Sequence, residues 1–125
     1  MDSLTNWDPN HYSWLERKFE TLLKEAKLFN YYHNFKVELE AENRVFYIDF
    51  AFPTLHLGLE VDSKMYHSTA FAKSRDADRQ EILEGAGWTL IRFRSEEILR
   101  RPDSVKKKLR EAVGKAASKN LATLG

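Results

Sequence analysis

The chain has 125 residues, 42% of them hydrophobic and 31% charged, with no cysteine and a net charge of +1. That length suits a single domain spanning residues 1–125 around one core, the composition is that of a folded globular chain, and the lack of cysteine excludes disulfides, thiolate zinc sites and a cysteine nucleophile. No apolar run reaches the roughly 18 residues that a membrane span needs, and the opening MDSLTNWDPN lacks the basic-then-apolar pattern of a secretion signal, so a cytoplasmic protein with no membrane partner is expected.

Ser13 followed by Glu16 has the form of a capping box, and Leu15, Phe19, Leu22, Leu23 and Ala26 recur at helical spacing, which predicts an amphipathic helix to about Leu28. Phe35, Val37 and Leu39 alternate with Lys36, Glu38 and Glu40 in a short strand, closed by a turn at Ala41 to Asn43. From Arg44 to Phe52 the alternation places Phe46, Ile48, Phe50 and Phe52 on one strand face and Tyr47, Asp49 and Ala51 on the other. Pro53 and Thr54 break that strand. From Leu55 to Asp62 the pattern resumes, with Leu55, Leu57, Leu59 and Val61 inward and His56, Gly58, Glu60 and Asp62 opposite.

A polar stretch containing Ser63, Lys64, His67 and Ser68 leads into a helix expected from about Ala70 to Ala86, whose end is marked by Gly87. Trp88 to Arg94 reads as a fourth strand, and Ser95 with Glu96 and Glu97 opens a short helix. Pro102 restarts the chain into a last helix, roughly Asp103 to Ala117, with Val105, Leu109, Ala112 and Val113 on a narrow apolar stripe. The order is helix, three antiparallel strands, helix, strand, helix, helix. It predicts an α/β (α+β) fold in which a central four-stranded mixed sheet is flanked by helices, with extra helices at the C-terminal end.

Charge is unevenly spread along this chain. Residues 1–91 carry 10 Lys/Arg against 15 Asp/Glu, while residues 92–125 carry 10 against 4. A basic helical segment over residues 95–120, with Lys106, Lys107, Lys108 and Arg110 clustered, suits a phosphate backbone held without reading sequence, or else the solvated face of a terminal helix.

The acids carry the sharper chemical signal. With Pro53 and Thr54 as a two-residue turn, Phe52 faces Leu55, so Asp49 lies opposite Gly58 and diagonal to Glu60, roughly 7 Å apart at their bases. Gly58 then leaves space beside Asp49. Glu60 and Asp62, two apart on one strand, point the same way. Three such carboxylates repel unless a cation or proton intervenes, which favours a hard, oxygen-liganded metal: Mg²⁺, or Mn²⁺ in its place. The plain alternative is a polar strand face exposed to water. His11, His33 and His56 lack ligand-like spacing and read as incidental.

At these residues the chain resembles the very short patch repair endonucleases and a related family of short bacterial and phage domains, within the PD-(D/E)XK nuclease superfamily. The matching pieces are Ser13-x-x-Glu16, Ile48-Asp49-Phe50, Leu59-Glu60-Val61-Asp62 with His67 five residues on, Arg79-x-x-x-Leu83, and Gly87-Trp88-x-x-x-Arg92-Phe93. The resemblance implies a restriction endonuclease-like core and Mg²⁺-dependent cleavage of DNA, as a nick or a double-strand break, by a bacterial or phage-encoded enzyme of the repair, homing or restriction kind. It makes Asp49 the central metal ligand, Glu60 the second acid and Glu16 an assistant from the first helix, and it puts His67 in the place of a catalytic histidine.

One departure stands out. The superfamily's lysine falls at position 62, where this chain has Asp62; Lys64 and His67 are the candidate substitutes. Arg75 and Arg79, one turn apart, are candidates for phosphate contacts beside the lysine cluster. The competing expectation is a nucleic-acid-binding module on a nuclease fold whose catalysis has lapsed. Either reading leaves room for a homodimer or a separate DNA-recognition partner.

Overall fold

Strand pairing organises the molecule. The computed structural model describes residues 13–62 and 70–124. Helix α1 (Trp14–Glu25) leads into strands β1 (Tyr32–Leu39), β2 (Arg44–Phe52) and β3 (Leu57–Asp62), followed by helix α2 (Ala70–Gly85), strand β4 (Thr89–Arg94), helix α3 (Ser95–Arg100) and helix α4 (Pro102–Leu124). The sheet order is β1-β2-β3-β4. The first three strands pair antiparallel, and β4 joins β3 in parallel after the α2 crossover, which is the mixed sheet that the order of elements predicts.

One sheet face carries α1, α3 and α4. There Leu15, Phe19, Leu22 and Leu23 of α1 pack with Phe50, Phe52, Leu57, Leu59 and Phe93 of the sheet and with Ile98, Val105 and Leu109 of the last two helices. Phe19 touches the rings of Phe50 and Phe93 at 5.3 Å each, and burying each such side chain stabilises by about 1.5–3 kcal/mol. Under α2 lies a smaller core of Val37, Phe46, Ile48, Ala51, Leu83 and Trp88.

These two cores correct the face assignment for β2. Phe46 and Ile48 go to the α2 side while Phe50 and Phe52 go to the α1 side, although all four share one parity. The register is continuous across the change, from His33↔Phe50 to Phe35↔Ile48, but Asn34 between them is left-handed, with φ 54°. A left-handed residue rotates the strand locally, so the alternation restarts on the opposite face, and Asn tolerates that conformation better than most side chains. Asp49 sits across from this switch.

The loop between β2 and β3 differs from a two-residue turn. Pro53–Leu55 form a short 3₁₀ turn, His56 takes φ 51°, and the ladder runs Phe52↔Leu57, Ala51↔Gly58, Phe50↔Leu59. β3 therefore starts at Leu57, two residues later than the alternation suggests. Gly58 lies opposite Ala51 and leaves no space beside Asp49, since a Cβ there would approach Leu90 Cδ2 at 2.7 Å and Ile48 Cγ2 at 2.9 Å.

Helix ends also moved. α1 stops at Glu25 because Lys27 turns left-handed, and the Leu28 N–H returns to the Leu23 carbonyl at 3.0 Å, a Schellman closure. α2 ends as expected before Gly87, whose φ is 98°. α4 runs on to Leu124, well past Ala117. Among the described residues no helix is long and apolar enough to cross a membrane.

Candidate active site

The β2–β3 ladder stops at Phe50↔Leu59. One position further on, Asp49 lies across from Glu60, and side chains replace the ladder bonds. The Asp49 N–H donates to Glu60 Oε2 at 3.2 Å, and the Val61 N–H donates to Asp49 Oδ2 at 2.9 Å. The two acids are thus brought together by the sheet, in direct opposition rather than along a diagonal. The loop lengthened the turn by an even number of residues, which preserves which side of β3 each residue occupies.

Each acid meets a different environment. Glu60 is clasped at two points by Arg79 of α2, through Nη1 to Oε1 at 2.8 Å and Nη2 to Oε2 at 3.1 Å; the same Nη2 donates to the Tyr47 carbonyl at 2.7 Å. Such a fork is among the stronger ion pairs. Among the described residues Asp49 forms no ion pair. Burial first, then the charge of Glu60 and less strongly that of Glu16, push its carboxyl from 3.8 to about 7, against the lowering by the Val61 N–H and Arg79.

Glu16 reaches the same neighbourhood from the first turn of α1. Ser13 Oγ accepts the Glu16 N–H at 3.1 Å, so Ser13 caps the helix. The Glu16 carboxylate, however, meets His33 Nε2 at 2.9 Å. The acid is used in a tertiary contact rather than in closing a capping box. His33, read from the sequence as incidental, lies on β1 with its ring 5.1 Å from that of Phe50 and only 11% of its side chain exposed. No spacing signal announces it, because its partner is 17 residues away in sequence.

Asp62 continues β3 opposite Arg94, partly buried. Among the described residues no group of three or more His, Asp or Glu side chains is set to hold a metal ion, so the geometry gathers Asp49 and Glu60 closely while Asp62 stands apart in the ladder. The donor set still fits a hard divalent cation. Among the described residues Asp49 Oδ1 accepts no hydrogen bond, and the carboxylates of Asp49, Glu60 and Glu16 stand against the Arg79 guanidinium and the His33 ring. Lys64 and His67 lie outside the described residues.

The remaining cationic candidates divide. Arg75 and Arg79 line a cleft of about 350 Å³ with Arg44, Val45, Phe46, Asp76 and Asp78. Lys106 contacts Glu25 at 3.3 Å and Asp103 at 3.4 Å, and Lys108 contacts Glu97 at 2.8 Å. Lys107 and Arg110 are exposed.

Comparison with known proteins bears on the fold and the family. The model of the restriction endonuclease-like family REase_MTES_1575 matches residues 25–113, a span that holds Asp49, Glu60 and Arg79 but not Glu16. Among solved structures, a "Homing Endonuclease I-Bth0305I Catalytic Domain" is similar, with a TM-score of 0.66 and 20% identity over 82% of this chain and 95% of that one. At that identity the likeness speaks for the fold, a restriction endonuclease-like core. No curated protein matches the chain.

Proposed function

Because the chain belongs to the restriction endonuclease-like family REase_MTES_1575, a nuclease family, we propose that it is a metal-dependent DNA endonuclease that hydrolyses phosphodiester bonds at the fork between β2 and β3. The observation that carries this reading is the partly buried Asp49 set directly against Glu60, where the Asp49 N–H donates to Glu60 Oε2 at 3.2 Å and the Val61 N–H to Asp49 Oδ2 at 2.9 Å, with the charge of Glu16 close by. Arg79 offsets part of this negative charge at Glu60, and a divalent ion shared with Asp49 would offset the rest.

Asp49 and Glu60 would hold Mg²⁺ or Mn²⁺, with Asp62 as the third candidate ligand. When bound, such an ion supplies Lewis acidity toward a phosphate oxygen and a more acidic water. Glu16, fixed by His33, lies on the α1 side of the fork, where an acid orients a water by accepting its proton in a hydrogen bond. His67 and Lys64 remain candidates for offsetting developing negative charge, and the basic helix α4 for holding the backbone of the strand to be cut.

The test is incubation of purified protein with supercoiled plasmid and Mg²⁺ or Mn²⁺. Nicked or linear product with the wild type, and intact plasmid with Asp49→Ala, is the expected result. Intact plasmid under both metals, or equal cutting by the variant, would defeat the assignment.

A second reading is favoured by one observation. Asp62 stands where the superfamily has lysine, and Glu60 is already neutralised by Arg79, as in a binding module that has lost its catalysis. Calorimetric titration with Mg²⁺ separates the two, since such a module has no need for an ion at Asp49.

A further inference from the structure

The acid pair has a cation beside it, and that cation stands on helix α2 rather than at position 62 of β3. We propose that Arg79 is a resident counter-charge that competes with a divalent ion for Glu60 and, when it yields, supplies toward the substrate phosphate the positive charge that is missing at position 62. The inference rests on the metal-dependent reading above.

Three features of the site support it. The guanidinium reaches Glu60 with two nitrogens and Tyr47 O with one of them, at 2.7 to 3.1 Å, so it spans the gap where the β2–β3 ladder has stopped. Its side chain is 18% exposed and that of Glu60 12%, which keeps the pair little screened by water and makes the competition with a second cation steep. Arg79 also lines the cleft shared with Arg44 and Arg75. A guanidinium that leaves Glu60 therefore has beside it a recess lined by two further arginines and by Asp76 and Asp78, and its own fork geometry suits two phosphate oxygens.

Among the described residues Arg79 forms its ion pair with Glu60, and Asp49 feels its charge more weakly than it feels that of Glu60. Asp76 faces Arg92 across 3.6 Å, and Asp78 is exposed at the cleft rim. Asp62, in the lysine position, belongs to β3 and cannot supply a positive charge.

The inference separates from a purely structural role by the opposite signs of two effects. If Arg79 only props Glu60, its removal weakens both ion binding and catalysis. If Arg79 competes with the ion and later serves the phosphate, its removal tightens ion binding and slows cleavage.

Metal-free wild type, Arg79→Met and Arg79→Lys would be titrated with Mn²⁺ by calorimetry, with circular dichroism as the check on folding and plasmid cleavage measured at saturating Mn²⁺. The expected result is Mn²⁺ binding roughly tenfold tighter in Arg79→Met than in wild type, with cleavage at least roughly tenfold slower. Arg79→Lys, which keeps a charge without the two-point fork, should fall between the two in both measurements. It also carries the test if Arg79→Met does not fold. Mn²⁺ binding that Arg79→Met leaves unchanged or weakens, or that Arg79→Lys leaves unchanged where only that variant folds, overturns the proposal and leaves the metal-dependent reading standing. No Mn²⁺ binding by wild type overturns both.

Discussion

Asp49 is a carboxyl whose ionisation the fold opposes, and the direction of that opposition sets how stability depends on pH. With its carboxyl at about 7 in the folded chain and 3.8 as its ordinary value, the folded state keeps a proton that the unfolded state has already released at any pH between the two. Stability of the metal-free protein therefore falls as pH rises through that window, by at most about 1.4 kcal/mol per pH unit from this group. It levels off above it. Asp49→Asn removes the buried charge and keeps an oxygen for the Val61 N–H, so it should be more stable than wild type by on the order of 2 kcal/mol at pH 8 and nearly equal to it at pH 4.5. Urea denaturation in the presence of a chelator reads this, and a difference that is the same at both pH values would discard the buried-charge account. The closeness of Asp49 and Glu60 is legible in the sequence, because interruption of an apolar strand by a charge is a local signal, whereas Asp62 stands apart. The partners of the acids are not. His33 meets an acid 17 residues away and Arg79 one 19 residues away, and no periodicity carries information over such a separation.

Elements were legible for a different reason. Hydrophobic alternation locates strands well, and a turn misjudged by two residues still leaves every side chain on its proper face, which is why Glu60 was assigned beside Asp49 despite a wrong register. What alternation does not reveal is a reversal of faces within a strand. One lies in β2, where Ile48 and Phe50 go to different cores, across from Asn34 of β1 at φ 54°. The consequence is functional as well as architectural, since the switch lies where β2 leaves β3 and the acids take the place of the ladder. Gly58 anchors the strand pair just before that point. A methyl group there would meet Leu90 Cδ2 at 2.7 Å and Ile48 Cγ2 at 2.9 Å; Ile48 is fully buried with little room to shift, while Leu90 is only partly buried. Gly58→Ala should cost about 1–3 kcal/mol in urea denaturation. A loss below about 0.5 kcal/mol would mean that Ile48 and Leu90 move aside freely, and that the fork is less tightly held than its geometry indicates.

At the scale of the whole molecule, the uneven charge along the chain becomes an uneven surface, but only part of it is available to DNA. Lys106 and Lys108 of α4 face Glu25 and Glu97 across 3.3 and 2.8 Å, contacts that tie α4 to α1 and to α3. Lys107 and Arg110 are exposed and three residues apart, on one side of the helix. A phosphate backbone lying along the first turns of α4 would displace counterions more through that second pair than through the first. Each direct phosphate contact adds about 0.9 to the slope of log affinity against log salt, whereas a distant charge changes affinity at low salt with little effect on the slope. The double variant Lys107→Ala with Arg110→Ala should therefore lower the slope by about 2, while Lys106→Ala with Lys108→Ala lowers it by less than about 1 even though the same net charge is removed. Fluorescence anisotropy with a labelled duplex across a salt series, in Ca²⁺ to prevent cutting, measures both. If the slope is unchanged by the first pair, the DNA does not lie on α4, and the arginines of the cleft beside Arg79 become the surface to mutate next.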